Sequence, residues 1–413
     1  MFQGILGVVA FIGFGYLISE HRKAIAWRAI VAGLTVQVLL AALLLKVPVF
    51  KSIFMALNEV VLMLDKATSA GTSFVFGYLG GGALPFTEPF PGSAFILAFK
   101  ALPLVLVVSA LSSLLFYWRV IPAVVGLFSK ALTKLMGIGG ALGLGAAANI
   151  FVGMVEAPLF IRPYLERMTR SEIFTIMTCG MATIAGTVMV LYANILTPIM
   201  PDAMGHMLTA SIISAPASIL VAILLIPETE PTTQGDLIDP MPATSAMDAV
   251  TRGTTSGLGL LLNIIAMLVV LIALVELANL ILALLPNIEG SPLSLQRVLG
   301  WIMAPVVWLM GVPWQEAHTA GMLMGTKTVL NEFIAYLDMG KLAPGSLSER
   351  SKIIMTYAMC GFANLGSLGI MLGGLCTMAP GRREEIVNLG GKSILAGTMA
   401  TCLTGAIVGI LYT

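Results

Sequence analysis

Apolar residues follow one another along this chain in long stretches, without the two-residue alternation of strands. Residues 4–19, 30–45, 95–117, 173–199, 208–226, 258–285, 353–378 and 393–411 form runs near or above the length that carries a helix across a bilayer, about 20 residues. Hydrocarbon offers the backbone no hydrogen-bond partner, so such runs predict helices, which satisfy their amides internally. The pattern predicts an all-α polytopic membrane protein with about eight transmembrane helices. Residues 51–79 are only mildly apolar and carry Lys51, Glu59, Asp65 and Lys66. They read as a pair of interfacial helices, with 296–310 a further candidate.

Two segments are apolar but interrupted. Residues 137–165 are rich in glycine and hold Asn149, Glu156, Pro158 and Arg162; residues 314–337 hold Glu316, His318, Lys327, Asn331 and Glu332. Both read as re-entrant helical hairpins, because irregular backbone at membrane depth needs protein or water around it. A phrase is then repeated after each: Cys179-Gly180-Met181-Ala182-Thr183-Ile184 returns as Cys360-Gly361-Phe362-Ala363-Asn364-Leu365. The unit of hairpin plus long helix with a small, polar centre thus occurs twice, as in carriers built from repeats with a midplane binding site. The expected organisation is scaffold helices, interfacial helices and the third span in 1–136, and the first repeat of a transport domain in 137–199. The fifth and sixth spans with a cytoplasmic loop occupy 200–312, the second repeat 313–380, and the last span 381–413.

Composition agrees with burial in lipid. Of 413 residues 58% are hydrophobic and 10% charged, with a mean hydropathy of +0.98; a soluble domain needs more surface charge. A net charge of +1 without a basic patch gives no sign of a nucleic-acid partner. The N-terminal run has neither a charged leader nor a small-residue cleavage site and reads as a retained first helix. The basic cluster His21, Arg22, Lys23 and Arg28 places the first loop in the cytoplasm, together with Arg162, Arg167, Arg170, Arg382, Arg383 and Lys392. Residues 227–248 are acidic but weigh little in this rule; Lys341, Arg350 and Lys352 fall outside and count against it. Cys179, Cys360, Cys376 and Cys402 lack metal-ligand spacing and read as packing residues.

The polar residues inside the apolar segments carry the chemistry. Ionisable groups at that depth face cavities or partners. Glu332 offers a carboxylate for two hydroxyls of a sugar-like ligand, or the anion of a buried pair with Lys327. Asn364 and Ser367 share a helix face and suit a polyhydroxyl ligand or a helix contact. Asn149 and Thr183 offer hard oxygens to a small cation, or interhelical hydrogen bonds. His206 and His318 are proton carriers or structural groups. No HExxH, GxSxG or Asp-His cluster suggests an enzyme, and duplicated hairpins favour alternating access over a channel.

These motifs resemble the concentrative nucleoside transporter family. Gly153-Met154-Val155-Glu156-Ala157-Pro158 is similar to its Gly-Gln-[Ser/Thr]-Glu-[Ala/Ser]-Pro signature, and Asn331-Glu332-Phe333 with Ala335-Tyr336 to its Asn-Glu-Phe-Val-Ala-Tyr segment. The run from Cys360 to Gly374 resembles its most recognisable stretch; the likeness covers nearly the whole chain, in the eight-span bacterial form. It implies a homotrimer in the bacterial inner membrane, importing nucleosides with a coupling cation by an elevator movement of a transport domain with two hairpins and two broken helices. It places ribose at Glu332, Asn364 and Ser367, and the base at Glu156, the hairpin tip of Met154 and Val155, and Phe362. Sodium would lie between Asn149, Thr183 and the carbonyls of Val152 and Ile184; some relatives use protons, and no other cofactor is implied. Met154 and Val155 depart from the family's glutamine and serine or threonine, which hydrogen-bond the base. The chain is therefore expected to show an altered base preference.

Overall fold

A computed structural model describes residues 2–87, 94–235, 243–288, 290 and 292–412. Residues 236–242 of the acidic loop lie outside the described residues. Every regular element among those described is helical. In chain order α1 (Phe2–Ile18) and α2 (Trp27–Lys46) precede α3 (Pro48–Phe76), α4 (Leu97–Lys100) and α5 (Leu104–Tyr117). An amphipathic helix, α6 (Val120–Met136), leads into the first hairpin, α7 (Gly140–Asn149), α8 (Glu156–Leu159) and α9 (Arg162–Leu165). Next come α10 (Arg170–Ala182), α11 (Gly186–Leu196), α12 (Ala203–Leu225), α13 (Ala246–Leu282) and α14 (Leu295–Leu309). The second hairpin, α15 (Trp314–Val329) and α16 (Glu332–Gly340), is followed by α17 (Glu349–Met359), α18 (Leu365–Met378) and α19 (Arg383–Leu411).

Among the described residues six helical paths have the length and composition to cross a membrane: 27–46, 97–117, 170–196, 203–225, 246–282 and 380–411. The remaining two expected crossings are α1, with 17 residues, and the interrupted path through α17 and α18. Two expectations change. Residues 51–79 form one continuous helix, α3, and a short 3-10 turn rather than a helix pair; Pro48 starts the helix, where a missing N–H costs nothing. The apolar runs 173–199 and 353–378 are each broken, at 183–185 and 360–364, as the two broken helices of the resemblance require, although hydropathy alone reads each as continuous. Segment 296–310 becomes α14, bent 118° against α15, and a Cβ on Gly321 would sit 2.4 Å from the Gly300 carbonyl, so only glycine allows that approach. α6 was not foreseen; its apolar face is too short a stripe to stand out as a span.

Polar anchors at one end of the molecule fix the spans relative to each other. Thr169 and Glu172 form a reciprocal cap at the start of α10, and Glu172 also accepts from the Thr233 N–H at 2.8 Å, strapping the 227–235 segment down. Glu20, just after α1, pairs with Arg170 at 3.1 Å and with Lys392 on α19. The loops expected to share the cytoplasmic side thus meet at one end. Arg350 instead secures helix ends, its guanidinium binding the carbonyls of Gly311 (2.5 Å) and Gly409 (2.7 Å), the latter in the last turn of α19. A cation satisfies helix-end carbonyls well, which explains a basic residue on the side where the charge rule disfavours it.

Burial would push the Glu20 carboxyl up, but hydrogen bonds from Arg170 and Lys392 outweigh it and hold it below the usual carboxylate value of 4.5. A depressed folded pKa gives stability that is complete above the unfolded value and lost as pH falls through the folded one. The thermal midpoint in detergent should therefore drop as pH falls from about 5 towards about 3. Glu20→Gln should be less stable at neutral pH, by about 1 kcal/mol at this partly exposed site, with a shallower acid slope; parallel slopes would rule the cluster out as the acid-sensitive element.

Candidate substrate site

The site grows from the two helix breaks. α10 stops where Thr183 turns extended (ψ 171) and α11 restarts at Gly186. α17 stops at Met359, and α18 restarts after Asn364. The breaks cross: the Phe362 N–H donates to the Thr183 carbonyl at 3.3 Å, and the Gly186 N–H donates to the Phe151 carbonyl of the first hairpin at 3.0 Å. The repeated glycines make this approach possible. A Cβ on Gly361 would lie 2.8 Å from the Met181 carbonyl oxygen, and one on Gly180 2.9 Å from the Cβ of Met154.

Broken and hairpin helices must begin somewhere, and here their starts converge. Asn364 Oδ1 accepts from the Ser367 N–H at 2.7 Å, and Asn331 Oδ1 from the Ile334 N–H at 2.9 Å. These are N-caps, which satisfy the free amides of α18 and α16. Glu332, the first residue of α16, is 3% exposed. Its Oε1 accepts from the Tyr192 hydroxyl at 2.7 Å and its Oε2 from Asn364 Nδ2 at 2.9 Å. The positive ends of nearby helices favour a carboxylate there. Lys327 is not its ion-pair partner: the ammonium is fully buried and forms neither a hydrogen bond nor a salt bridge among the described residues. Two hydrogen bonds occupy about half of the carboxylate's lone pairs, leaving the rest for a ligand's hydroxyls.

A cavity of about 170 Å³ opens between the two hairpin tips, the two breaks and α13. Met154, Val155, Glu156, Glu332, Phe362, Asn364 and Ser367, the seven side chains expected to touch a ligand, all line it. A second cavity of about 340 Å³ shares Gly153, Glu156, Thr187 and Leu260 as a common wall and includes Arg119 and Arg252. Glu156 faces these spaces while its carboxylate folds back over its own hairpin; a Cβ on Gly153 would sit 2.1 Å from its Oε2. Sequence reasoning missed Tyr192, Thr187 and Asn263, which also line the smaller cavity. Tyr192 carried the one usable signal, since a hydroxyl within an apolar helix needs a partner.

Asn149 closes α7 and donates to the Gly145 carbonyl at 3.1 Å, while its buried Oδ1 has no partner. That oxygen lies 3.7 Å from the Cβ position of Gly180, three residues before Thr183. Thr183 Oγ1 donates to the Cys179 carbonyl at 2.8 Å, which leaves its lone pairs available. Val152 lies in the tip that the Phe151–Gly186 bond ties to this break, and Ile184 is within the break itself. His206 Nδ1 is 2.9 Å from the Tyr357 hydroxyl, and the His318 ring packs against Trp301. All four cysteines are free and buried.

Two hairpin tips and two helix breaks enclose a small, mostly apolar cavity with a few convergent polar groups, the form of a carrier's ligand site. Comparison with known proteins narrows the class. The Na+ dependent nucleoside transporter C-terminus and N-terminus models match residues 206–409 and 6–79, and a nucleoside recognition model matches 98–199. The chain is 40% identical to an uncharacterized transporter of Haemophilus influenzae, across 99% of this chain and 97% of that one. It is 34% identical to the nucleoside permease NupC of Helicobacter pylori, over 98% and 96%. Human solute carrier family 28 member 3 is 35% identical over 98% of this chain and 59% of its own length. Among solved structures, CNTnw in an inward-facing substrate-bound state superposes with a TM-score of 0.91 at 36% identity, covering 99% and 97%. A CNTnw variant in an outward-facing state gives 0.90. The chain belongs to the concentrative nucleoside transporter family, a family of multi-pass membrane transporters and not of enzymes.

Proposed function

We propose that this protein is a secondary active symporter that imports nucleosides across the bacterial inner membrane, coupled to Na+, by an elevator-type alternating-access movement. The observation that carries the reading is the Glu332 carboxylate, oriented by Tyr192 and Asn364 in a cavity between two hairpins. An ionised carboxylate accepting from two vicinal hydroxyls selects a ribose over an apolar solute. Asn364 and Ser367 stand beside it, and Phe362 offers a ring to the base. Both inward-facing and outward-facing states among CNTnw structures support alternating access. A homotrimer is part of this proposal and rests on the family resemblance alone.

Sodium fits the unpartnered Asn149 oxygen, the Thr183 hydroxyl and the Val152 and Ile184 carbonyls, a hard-oxygen set of the kind a small cation prefers. In this reading those groups hold the ion, and the Thr183–Phe362 bond joins them to the ligand cavity. Uptake of labelled uridine and adenosine into proteoliposomes tests it, with an inward sodium gradient and then a proton gradient. Sodium-driven accumulation is expected. Accumulation with protons alone would replace the ion assignment with proton coupling, the second reading, in which the same fold carries a different or modified nucleoside. It draws on the apolar Met154 and Val155 at the hairpin tip.

A further inference from the structure

Two of the three side chains that the first hairpin presents to this cavity give a base edge little to pair with. Met154 is 8% exposed and rests on α10 beside Gly180, and Val155 packs on α18, its Cγ1 2.8 Å from the Cβ position of Gly374. Neither side chain can donate a hydrogen bond, and the methionine thioether is only a weak acceptor. The Glu156 carboxylate lies folded over Gly153. A base that leaves water for this cavity nevertheless brings donors and acceptors on its edge, and unpaired polar groups in a closed site are costly. Glu156 offers acceptors only, so a donor for the base's acceptors has to come from another wall.

That wall is α13. Leu260, Asn263, Ile264 and Leu271 line the cavity; spacings of three, four and eleven residues put them on one helical stripe. Asn263 is the polar member of that stripe, and its amide makes no hydrogen bond to any described residue. On a membrane-crossing helix an amide turned towards a cavity avoids the penalty of hydrocarbon. It presents a carbonyl acceptor beside an NH2 donor. That pair complements an adjacent donor and acceptor on a base edge, such as N3–H and O4 of uracil or N6–H2 and N1 of adenine.

We infer that Asn263 is the residue that reads the base edge in this transporter, a role resting on the nucleoside reading above. Ribose and base are then held by different parts of the molecule. Glu332 and Asn364 belong to the hairpin and the broken helix, whereas α13 packs chiefly along α5. Thr187 at the start of α11 and Glu156 on the first hairpin are competing polar groups in this cavity.

The test is uptake of uridine, 3-methyluridine and 3′-deoxyuridine into proteoliposomes under the gradient that drives the wild type. Methylation at N3 deletes the donor that the Asn263 carbonyl would accept. The wild type should prefer uridine over 3-methyluridine by about tenfold or more, the scale set by an unpaired polar group. Asn263→Leu should bring that ratio to within about twofold, with the penalty for 3′-deoxyuridine, set at Glu332, unchanged. A wild-type ratio retained in Asn263→Leu overturns the assignment, as does its collapse in Thr187→Val instead. If Asn263→Leu carries nothing, Asn263→Gln decides: retained preference for uridine supports amide reading, and lost preference overturns it. A wild type that carries no nucleoside under either gradient overturns the nucleoside reading, and this inference with it.

Discussion

Glu332→Gln should yield a folded protein that transports nucleosides at least about 100-fold less efficiently, measured as Vmax/KM, a loss of about 3 kcal/mol. The structure explains why the fold survives. Asn364 Oδ1 is committed to the Ser367 amide, so its Nδ2 must find an oxygen, and the glutamine carbonyl supplies one. The new NH2 then faces the Tyr192 hydroxyl, which can rotate from donating to accepting. What disappears is the negative charge and the lone pairs left for ligand hydroxyls, and hydrogen bonds to charged groups are the stronger kind. Glu332→Ala strips both partners and should also lower the thermal midpoint, since Tyr192 and Asn364 lose their buried acceptor. Near-normal uptake by a well-folded Glu332→Gln protein would remove Glu332 from the ligand site.

Gly361→Ala is expected to do the reverse, attacking assembly before chemistry. The added Cβ would sit 2.8 Å from the Met181 carbonyl oxygen, 2.9 Å from Thr401 Cγ2 and 3.0 Å from the Ala182 carbonyl carbon. Two of these three atoms are backbone and cannot rotate away. Relief requires the two breaks to part, which strains the Phe362–Thr183 hydrogen bond at their crossing. Overpacking a tight interior costs about 1–3 kcal/mol, and here it also displaces the Asn364 cap and with it Glu332. Folded yield after detergent extraction and the thermal midpoint should fall, with uptake per folded molecule reduced as well. Gly369→Ala, on α18 where a Cβ meets nothing within 4 Å, is the matched control. Equal behaviour of the two variants would show that the crossing tolerates separation.

Much of this was legible in the residues. The glutamates inside apolar segments pointed to Glu156 and Glu332, and the repeated phrase marked the places where both breaks occur. Composition could not show that Cys-Gly-x-Ala interrupts a helix, because small apolar residues also continue one; only the crossing at Thr183 and Phe362 demands the interruption. Lys327 read as a natural partner for Glu332 because the two are five residues apart in a low-dielectric setting. The turn at Leu330 and Asn331 keeps them out of direct contact, and a tyrosine and an asparagine, far away in sequence, take the carboxylate. Asn263 sat unnoticed in a strongly apolar span, since a single amide in such a run looks like helix glue until its neighbours are known.

The asparagines at the two helix starts have a consequence for how such a carrier can diversify. Asn364 and Asn331 each tie off a helix end while bordering the ligand, so changing either damages architecture and recognition in one stroke. Met154 and Val155 border the same cavity, yet their side chains hold no polar bond that the fold depends on. A change at the hairpin tip thus disturbs packing alone, whereas one at the helix starts also breaks a cap. On the proposed reading, a lineage built on this frame can explore new bases while the residues assigned to the sugar stay fixed.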